Sequence, residues 1–67
     1  MKYAIAIDIG GTNTRVALIN EEYSIENRVQ FATNPSDPYA TIEEIRKAIA
    51  GFGKKAEGIG ISCPGPL

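Results

Sequence analysis

Residues 8–15 (DIGGTNTR) bring together a carboxylate, two adjacent glycines, small polar side chains and a guanidinium. One apolar strand runs directly into Asp8 and another begins after the polar residues, so the stretch is predicted to contain the turn of a β-hairpin. Glycines let a backbone approach an anion closely and adopt positive φ. Exposed N–H groups and hydroxyls at such a turn can donate hydrogen bonds to phosphate oxygens. The sequence therefore predicts a hairpin that binds phosphate.

Asp8 and Arg15 each allow two interpretations. A carboxylate is unfavourable beside a bare phosphate, but Mg²⁺ between them resolves the conflict, because it favours oxygen ligands and keeps several waters. An acid at the end of a buried strand is costly unless it is paired or bound to metal. Alternatively, Asp8 is satisfied by turn amides, as in an Asx-turn. Arg15 is either a phosphate ligand, for which guanidinium is well shaped, or the partner of a neighbouring carboxylate.

The composition excludes several classes of protein. The chain has a net charge of −1, and its basic residues are scattered, unlike the clustered basic face of a nucleic-acid binder. No apolar run approaches the roughly 20 residues needed to cross a bilayer, and the start lacks the layout of a signal peptide. One cysteine and no histidine exclude an internal disulfide and a zinc cluster. We expect a cytoplasmic protein without nucleic-acid or membrane partners.

A length of 67 residues is small for an independent domain. A domain near this size buries only about 60% of the surface that its unfolded chain exposes, so its stability is marginal. We therefore expect residues 1–67 to form a partial amino-terminal domain. Open strand edges and uncovered apolar faces seek partners, which predicts self-association or a homo-oligomer.

Periodicity predicts four strands, at residues 3–8, 14–20, 25–33 and 56–62. Isoleucines on one face of the first strand and alanines on the other suit a central strand covered on both sides. In the third strand, Ile25, Val29 and Phe31 are predicted to share a face opposite charged residues, which favours a position near the sheet edge.

A helix is predicted over about residues 38–52. It begins either at Asp37, with Pro38 in the first helical position, or at Thr41, with Glu44 completing a capping box. Gly51 and Gly53 are expected to end it. Its predicted apolar stripe comprises Ile42, Ile45, Ala48, Ile49 and Phe52, and its solvent-exposed face comprises Glu43, Glu44, Arg46 and Lys47.

The order β-β-β-α-β predicts an α/β fold with a mixed sheet. The first three strands would form an antiparallel meander, and the fourth would lie parallel to the first. Ligands of open α/β sheets bind beyond the carboxyl ends of parallel strands. Asp8 and the loop at residues 62–67 are therefore expected to face one cleft.

Two motifs resemble a known family. Residues 8–15 resemble the first phosphate motif of sugar kinases with the actin-like ATPase fold, D-x-G-G-T-x-x-R, at every fixed position: Asp8, Gly10, Gly11, Thr12 and Arg15. Residues 58–67 (GIGISCPGPL) are similar to the G-I-G-x-x-x-P-G-P segment of the ROK family (repressors, open reading frames and kinases). The resemblance spans nearly the whole chain and implies the start of an actin-like ATPase (ribonuclease H-like) domain.

The resemblance also implies ligands. ATP and Mg²⁺ would be the cofactors, and a sugar would be the substrate. Pro64 and Gly65 would shape the sugar-side loop, and Asp8 would hold Mg²⁺ through a bound water. The implied nucleotide-binding residues are Asp8, Gly10, Gly11, Thr12, Asn13 and Arg15. Without the resemblance, the glycines could be ordinary hairpin glycines and residues 64–66 a rigid turn.

The implied activity of the parent protein is transfer of the γ-phosphoryl group of ATP to a hydroxyl of a hexose or N-acetylhexosamine. In the family, the general base is the Asp of an N-D motif, and no Asn-Asp pair occurs here. No catalytic residue is therefore assigned in this chain, and residues 1–67 alone are expected to be inactive. A family zinc motif would also lie outside this sequence. The alternatives are a sugar-sensing ROK repressor and another actin-fold ATPase or phosphotransferase.

Overall fold

The structure is a computed structural model and describes residues 1–62. Its elements follow the predicted order, and their ends lie within one residue of the predicted ones. They are β1 (Tyr3–Ile9), β2 (Asn13–Asn20), β3 (Ile25–Ala32), α1 (Pro38–Phe52) and β4 (Ala56–Ser62). The single helix of this region is not long and apolar enough to cross a membrane.

The sheet has the strand order β3-β2-β1-β4. Pairing is antiparallel between β1 and β2 and between β2 and β3, and it is parallel between β1 and β4. The predicted mixed sheet is therefore confirmed. Within the described residues, β3 and β4 are the edge strands, so the edge position predicted for β3 is also confirmed.

The core lies between one face of the sheet and α1. Side chains alternate across a strand, and one set from β1 and β2 forms a single buried cluster with side chains of the helix. The buried apolar residues are Ile5, Ile7, Val16, Leu18, Ile45, Ala48 and Phe52. On the opposite face of β1, Ala4 is exposed, as expected for a partial domain whose outer sheet face is uncovered. Here the helix covers only one face.

The strand β4 extends beyond the cover of the helix. Ile59 lies opposite Ile5 and Ile61 opposite Ile7, so both point to the face that carries the core. The helix packs on β2 and β3 instead, and Ile59 and Ile61 are consequently 57% and 65% exposed. An apolar surface and an unpaired strand edge therefore coincide at β4.

The helix uses the first of its two possible starts. Asp37 is the N-cap, and Pro38 is the first helical residue. The Asp37 Oδ1 accepts a hydrogen bond from the Ala40 amide at 3.3 Å. The alternative start at Thr41 is wrong: Thr41 is buried, and its hydroxyl accepts from the Asn34 amide at 3.2 Å.

The helix ends at Gly53, which has a left-handed φ of 67° and donates its amide to the Ala50 carbonyl. A left-handed residue at this position favours glycine because it has no Cβ.

The apolar stripe of the helix is shifted from the predicted one. Thr41, Ile45, Ala48 and Phe52 are its buried residues, whereas Ile42 is 52% exposed. A line through positions i, i+4, i+7 and i+11 follows one helical face, and Ile42 lies beside that line. The predicted solvent-exposed face is confirmed, with ion pairs linking Arg46 to Glu43 and Lys47 to Glu44.

A register shift between Leu18 and Ile19 changes the start of β3. Ile25 pairs with Ile19, and Ile19 belongs to the face opposite the helix. The prediction that Ile25 shares a face with Val29 and Phe31 is therefore wrong, and Ile25 is 57% exposed. The alternation of apolar and polar residues in a sequence does not by itself reveal a β-bulge, in which one strand carries an extra residue.

The two isoleucines at positions 42 and 45 provide a matched test of the shifted stripe. Ile45→Val should lower the free energy of unfolding by about 0.5–1.5 kcal/mol, since it removes a buried methylene. Ile42→Val should change it by no more than about 0.5 kcal/mol, as surface substitutions usually do. Urea unfolding of the 67-residue chain, followed by circular dichroism at one fixed, low protein concentration, measures both. Equal effects would contradict the observed orientation of the helix.

Candidate functional site

The predicted phosphate hairpin is the connection between β1 and β2. Asp8 pairs with Arg15 and Ile9 with Thr14 as the strands approach the turn. The Gly10 amide then donates to the Asn13 carbonyl at 2.9 Å and closes the turn. The sequence prediction of a turn in this stretch is thus correct.

The turn presents unused donors to solvent. Gly11 and Thr12 are exposed, and within residues 1–62 neither backbone amide donates a hydrogen bond. Amides directed to a common side of a turn can bind an anion. Two successive N–H groups and the Thr12 hydroxyl are therefore available to donate hydrogen bonds to an anion.

The two glycines serve different purposes. A Cβ on Gly10 would lie 2.9 Å from the Asn13 carbonyl oxygen, whereas a Cβ on Gly11 would have no neighbour within 4 Å. Neither glycine has a left-handed φ, so the expectation of positive φ here is wrong. Gly10 is required by the close approach of a carbonyl, and Gly11 leaves open space above the turn.

Asp8 and Arg15 form an ion pair on the face of the sheet opposite the helix. The Arg15 guanidinium donates to Asp8 Oδ2 at 3.3 Å, and both side chains are 49% exposed. Arg15 Nε also donates to Gln30 Oε1 on β3, at 3.2 Å. Arg15 thus displays the second of its two interpretations, the pairing with a neighbouring carboxylate, and Asp8 accepts from this guanidinium rather than from turn amides. Exposed pairs are worth about 0–1 kcal/mol, so ligands can displace this one readily.

Gln30 was not among the predicted site residues. It lies directly opposite Arg15 in the pairing of β2 with β3. To predict this pair, one must know the register between β2 and β3. The register depends on the length of the turn that joins them, and the sequence pattern does not determine that length. Its amide oxygen orients the guanidinium next to Asp8.

A second missed residue, Thr33, lies just after β3. Its amide donates to the Thr12 carbonyl at 2.9 Å, and its hydroxyl lies 2.7 Å from the Thr14 hydroxyl. Thr14 is fully buried. A polar residue in the alternating series Thr14, Val16 and Leu18 on the core face was the available signal that a buried partner must exist.

Two clefts flank the sheet within residues 1–62. The smaller one, about 260 Å³, adjoins the end of β1 and the start of the helix, and it is lined by Ile9, Thr33, Asn34, Pro35, Pro38, Thr41 and Ile42. A wider and shallower one, about 410 Å³, involves Lys2, Tyr3 and Tyr23 at the other end of the strands. The smaller cleft therefore borders the hairpin at Ile9 and Thr33, and its lining is mostly apolar.

The end of β4 lies beside the hairpin. Ser62 pairs with Asp8 across the parallel strands, so the carboxyl ends of β1 and β4 meet at one edge of the sheet. The predicted sugar-side residues Pro64 and Gly65 lie outside the described residues. No cluster of three metal-ligating side chains occurs within residues 1–62.

Several solved structures resemble this chain. A ROK family glucokinase from Streptomyces griseus, in complex with glucose and AMPPNP, superimposes with a TM-score of 0.79 and 32% identity over 94% of this chain. A proposed sugar kinase from Cytophaga hutchinsonii ATCC 33406 gives a TM-score of 0.67 and 30% identity over 97% of it. The chain spans 20% and 23% of these two proteins.

A comparison with curated proteins finds no match. The family comparison covers almost all of the sequence: the ROK family model matches residues 4–67. Its range includes both the hairpin and the segment after β4. The fold, the two motifs and this match agree, and the chain belongs to the ROK family.

Proposed function

We propose that this chain is the amino-terminal, phosphate-binding part of an ATP-dependent sugar kinase. The observation that carries the proposal is the group of free donors at Gly11 and Thr12, next to Asp8, where the carboxyl ends of β1 and β4 meet. The similar Streptomyces griseus protein is a glucokinase in complex with glucose and AMPPNP. A hexose or an N-acetylhexosamine is the proposed substrate class.

The hairpin residues have distinct proposed roles. The Gly11 and Thr12 amides and the Thr12 hydroxyl donate to phosphate oxygens, while Gly10 keeps the turn closed. Asn13 supplies the carbonyl that Gly10 binds. Arg15 exchanges its contact with Asp8 for a phosphate oxygen, because an exposed ion pair is easily replaced.

Asp8 fits the donor set of a magnesium site. Mg²⁺ in phosphate-transfer sites is usually held by one or two carboxylates together with phosphates and waters, and Asp8 provides one half-exposed carboxylate. When bound, Mg²⁺ would neutralise charge on the phosphates. Catalysis of this type depends mainly on positioning and charge stabilisation, and this chain would contribute both.

Proton removal is assigned to a part of the protein other than this chain. A sugar hydroxyl needs a general base within hydrogen-bond reach. The family resemblance assigns that role to the Asp of an N-D motif, and the sequence contains no Asn-Asp pair. We therefore infer that residues 1–67 alone do not phosphorylate sugar. Pro64 and Gly65 remain the proposed sugar-side residues.

The two glycines test the proposal by separating folding from nucleotide binding. The complete gene product is assayed for ADP formation with a panel of hexoses and N-acetylhexosamines, because the chain spans only 20% of the glucokinase that it resembles. Gly11→Ala should raise the KM for ATP at least about tenfold, or ~1.4 kcal/mol, because its methyl group occupies the space proposed for phosphate. Its thermal stability should stay unchanged.

Gly10→Ala is the matched variant. Its Cβ meets a backbone carbonyl, so it should lower the free energy of unfolding by about 1–3 kcal/mol, as overpacking does. A wild-type protein that forms no ADP with any sugar, or a Gly11→Ala variant with an unchanged KM for ATP, would count against the proposed function.

The role of Asp8 is tested by varying the metal concentration. Asp8→Asn keeps the shape of the side chain but removes its charge. It should raise the Mg²⁺ concentration needed for half-maximal activity about 10–100-fold, as loss of an outer-sphere partner does. Asp37→Asn is the control, since asparagine caps a helix as well as aspartate. The same Mg²⁺ dependence in both variants would refute the metal role of Asp8.

We also propose that the isolated 67-residue chain self-associates through β4. Its open edge and the exposed Ile59 and Ile61 lie together, and such edges pair readily with other strands. Sedimentation velocity should detect species larger than a monomer, and Ile61→Lys should reduce them. Ile42→Lys, at a comparably exposed position on the helix, is the control. A wild-type chain that stays monomeric as its concentration rises would disprove the proposal.

A further inference from the structure

Thr33 joins the end of β3 to the phosphate hairpin through two short hydrogen bonds. Its amide donates to the Thr12 carbonyl at 2.9 Å, which extends the β2–β3 pairing one step beyond Asn13 and Ala32. Its hydroxyl lies 2.7 Å from that of Thr14. The hairpin is thus held by a residue that lies 19 positions after Thr14.

The bond to Thr12 acts on the exposed part of the turn. The Thr12 carbonyl belongs to the peptide group that follows its own amide and side chain, so fixing this carbonyl restricts the orientation of Thr12. At the other end of the turn, Gly10 is fixed by its bond to the Asn13 carbonyl. Gly11 and Thr12 are therefore displayed between two anchored points.

The hydroxyl pair is sensitive to substitution because Thr14 is fully buried. A buried hydroxyl that loses its partner keeps its full desolvation cost, whereas replacement of both partners by apolar groups of similar shape can be nearly neutral. Removal of the Thr33 hydroxyl alone would therefore leave the Thr14 hydroxyl unsatisfied in the strand directly after the turn.

We propose that Thr33 is a positioning residue for the phosphate-binding turn. The inference rests on the function proposed above and extends it to a residue outside both sequence motifs. Thr33 acts on the ligand only through Thr12 and Thr14, and its hydroxyl sets how well the free amides are ordered before the nucleotide arrives.

The test uses the complete gene product and two kinds of measurement. Calorimetry with Mg²⁺ and ATP, in the absence of sugar, gives the dissociation constant of the nucleotide. Hydrogen exchange, measured on the peptide that covers residues 8–15 in the nucleotide-free protein, reports the order of the turn. The variants are Thr33→Val, which removes the hydroxyl, and Thr33→Ser, which retains it.

Thr33→Val should weaken nucleotide binding about three- to tenfold, the range expected for loss of one hydrogen bond, and should accelerate exchange in residues 8–15. The KM for sugar should not change. Thr33→Ser should match the wild-type protein in nucleotide affinity and in the exchange rate of residues 8–15. Ile45→Val is the control for stability alone, because it removes a methylene from the buried face of the helix and should leave nucleotide binding unchanged.

A double variant covers the case in which Thr33→Val does not fold. Thr14→Val combined with Thr33→Val leaves no unpaired hydroxyl, so it should fold and still bind the nucleotide weakly. Wild-type-like binding by the folded Thr33→Val or double variant, or no recovery in Thr33→Ser, would overturn the positioning role while leaving the proposed function intact. A wild-type protein that binds no nucleotide would overturn both.

Discussion

The pairing of β1 with two different neighbours is the constraint on which the rest of the site depends. Antiparallel pairing with β2 sets Asp8 opposite Arg15, and parallel pairing with β4 sets Ser62 beside the same aspartate. Because strand register is periodic by two residues, a slip of one residue would turn Asp8 towards the helix and an isoleucine towards solvent. The buried isoleucines of β1 therefore fix the position of its carboxylate.

The energetics of the hairpin divide into two parts. The contact between Asp8 and Arg15 is half exposed and contributes little to stability. The Thr14–Thr33 hydroxyl pair and the bond from Gly10 to Asn13 are short and hold the backbone itself. In the proposed function, the hairpin consequently exchanges its charged contacts for those of a ligand without loss of its shape.

The sequence was sufficient to predict the order of the elements and the turn, because these follow from local apolar periodicity and turn-forming residues. It also located the ROK motifs. It failed for Ile42, whose exposure depends on how the helix is rotated against the sheet, and for Ile25, which is moved to the other face by an irregular strand pair. Gln30 and Thr33 were missed for a related reason: both reach the hairpin from β3, through a register that no local pattern specifies.

The alternation of side chains across β1 and β2 separates binding from support. Asp8 and Arg15 point away from the helix, whereas Ile7, Ile9, Thr14 and Val16 point towards it. Neighbours in sequence thus belong to opposite sides: Thr14 is anchored in the interior, and Arg15, the next residue, remains available to a ligand. In the proposed phosphate site, the buried Thr14 therefore anchors the hairpin on one face of the sheet, and the charged Asp8 and Arg15 lie on the other. If the proposed site binds the nucleotide, substitutions on the inner face are therefore expected to alter that binding without contact with the ligand.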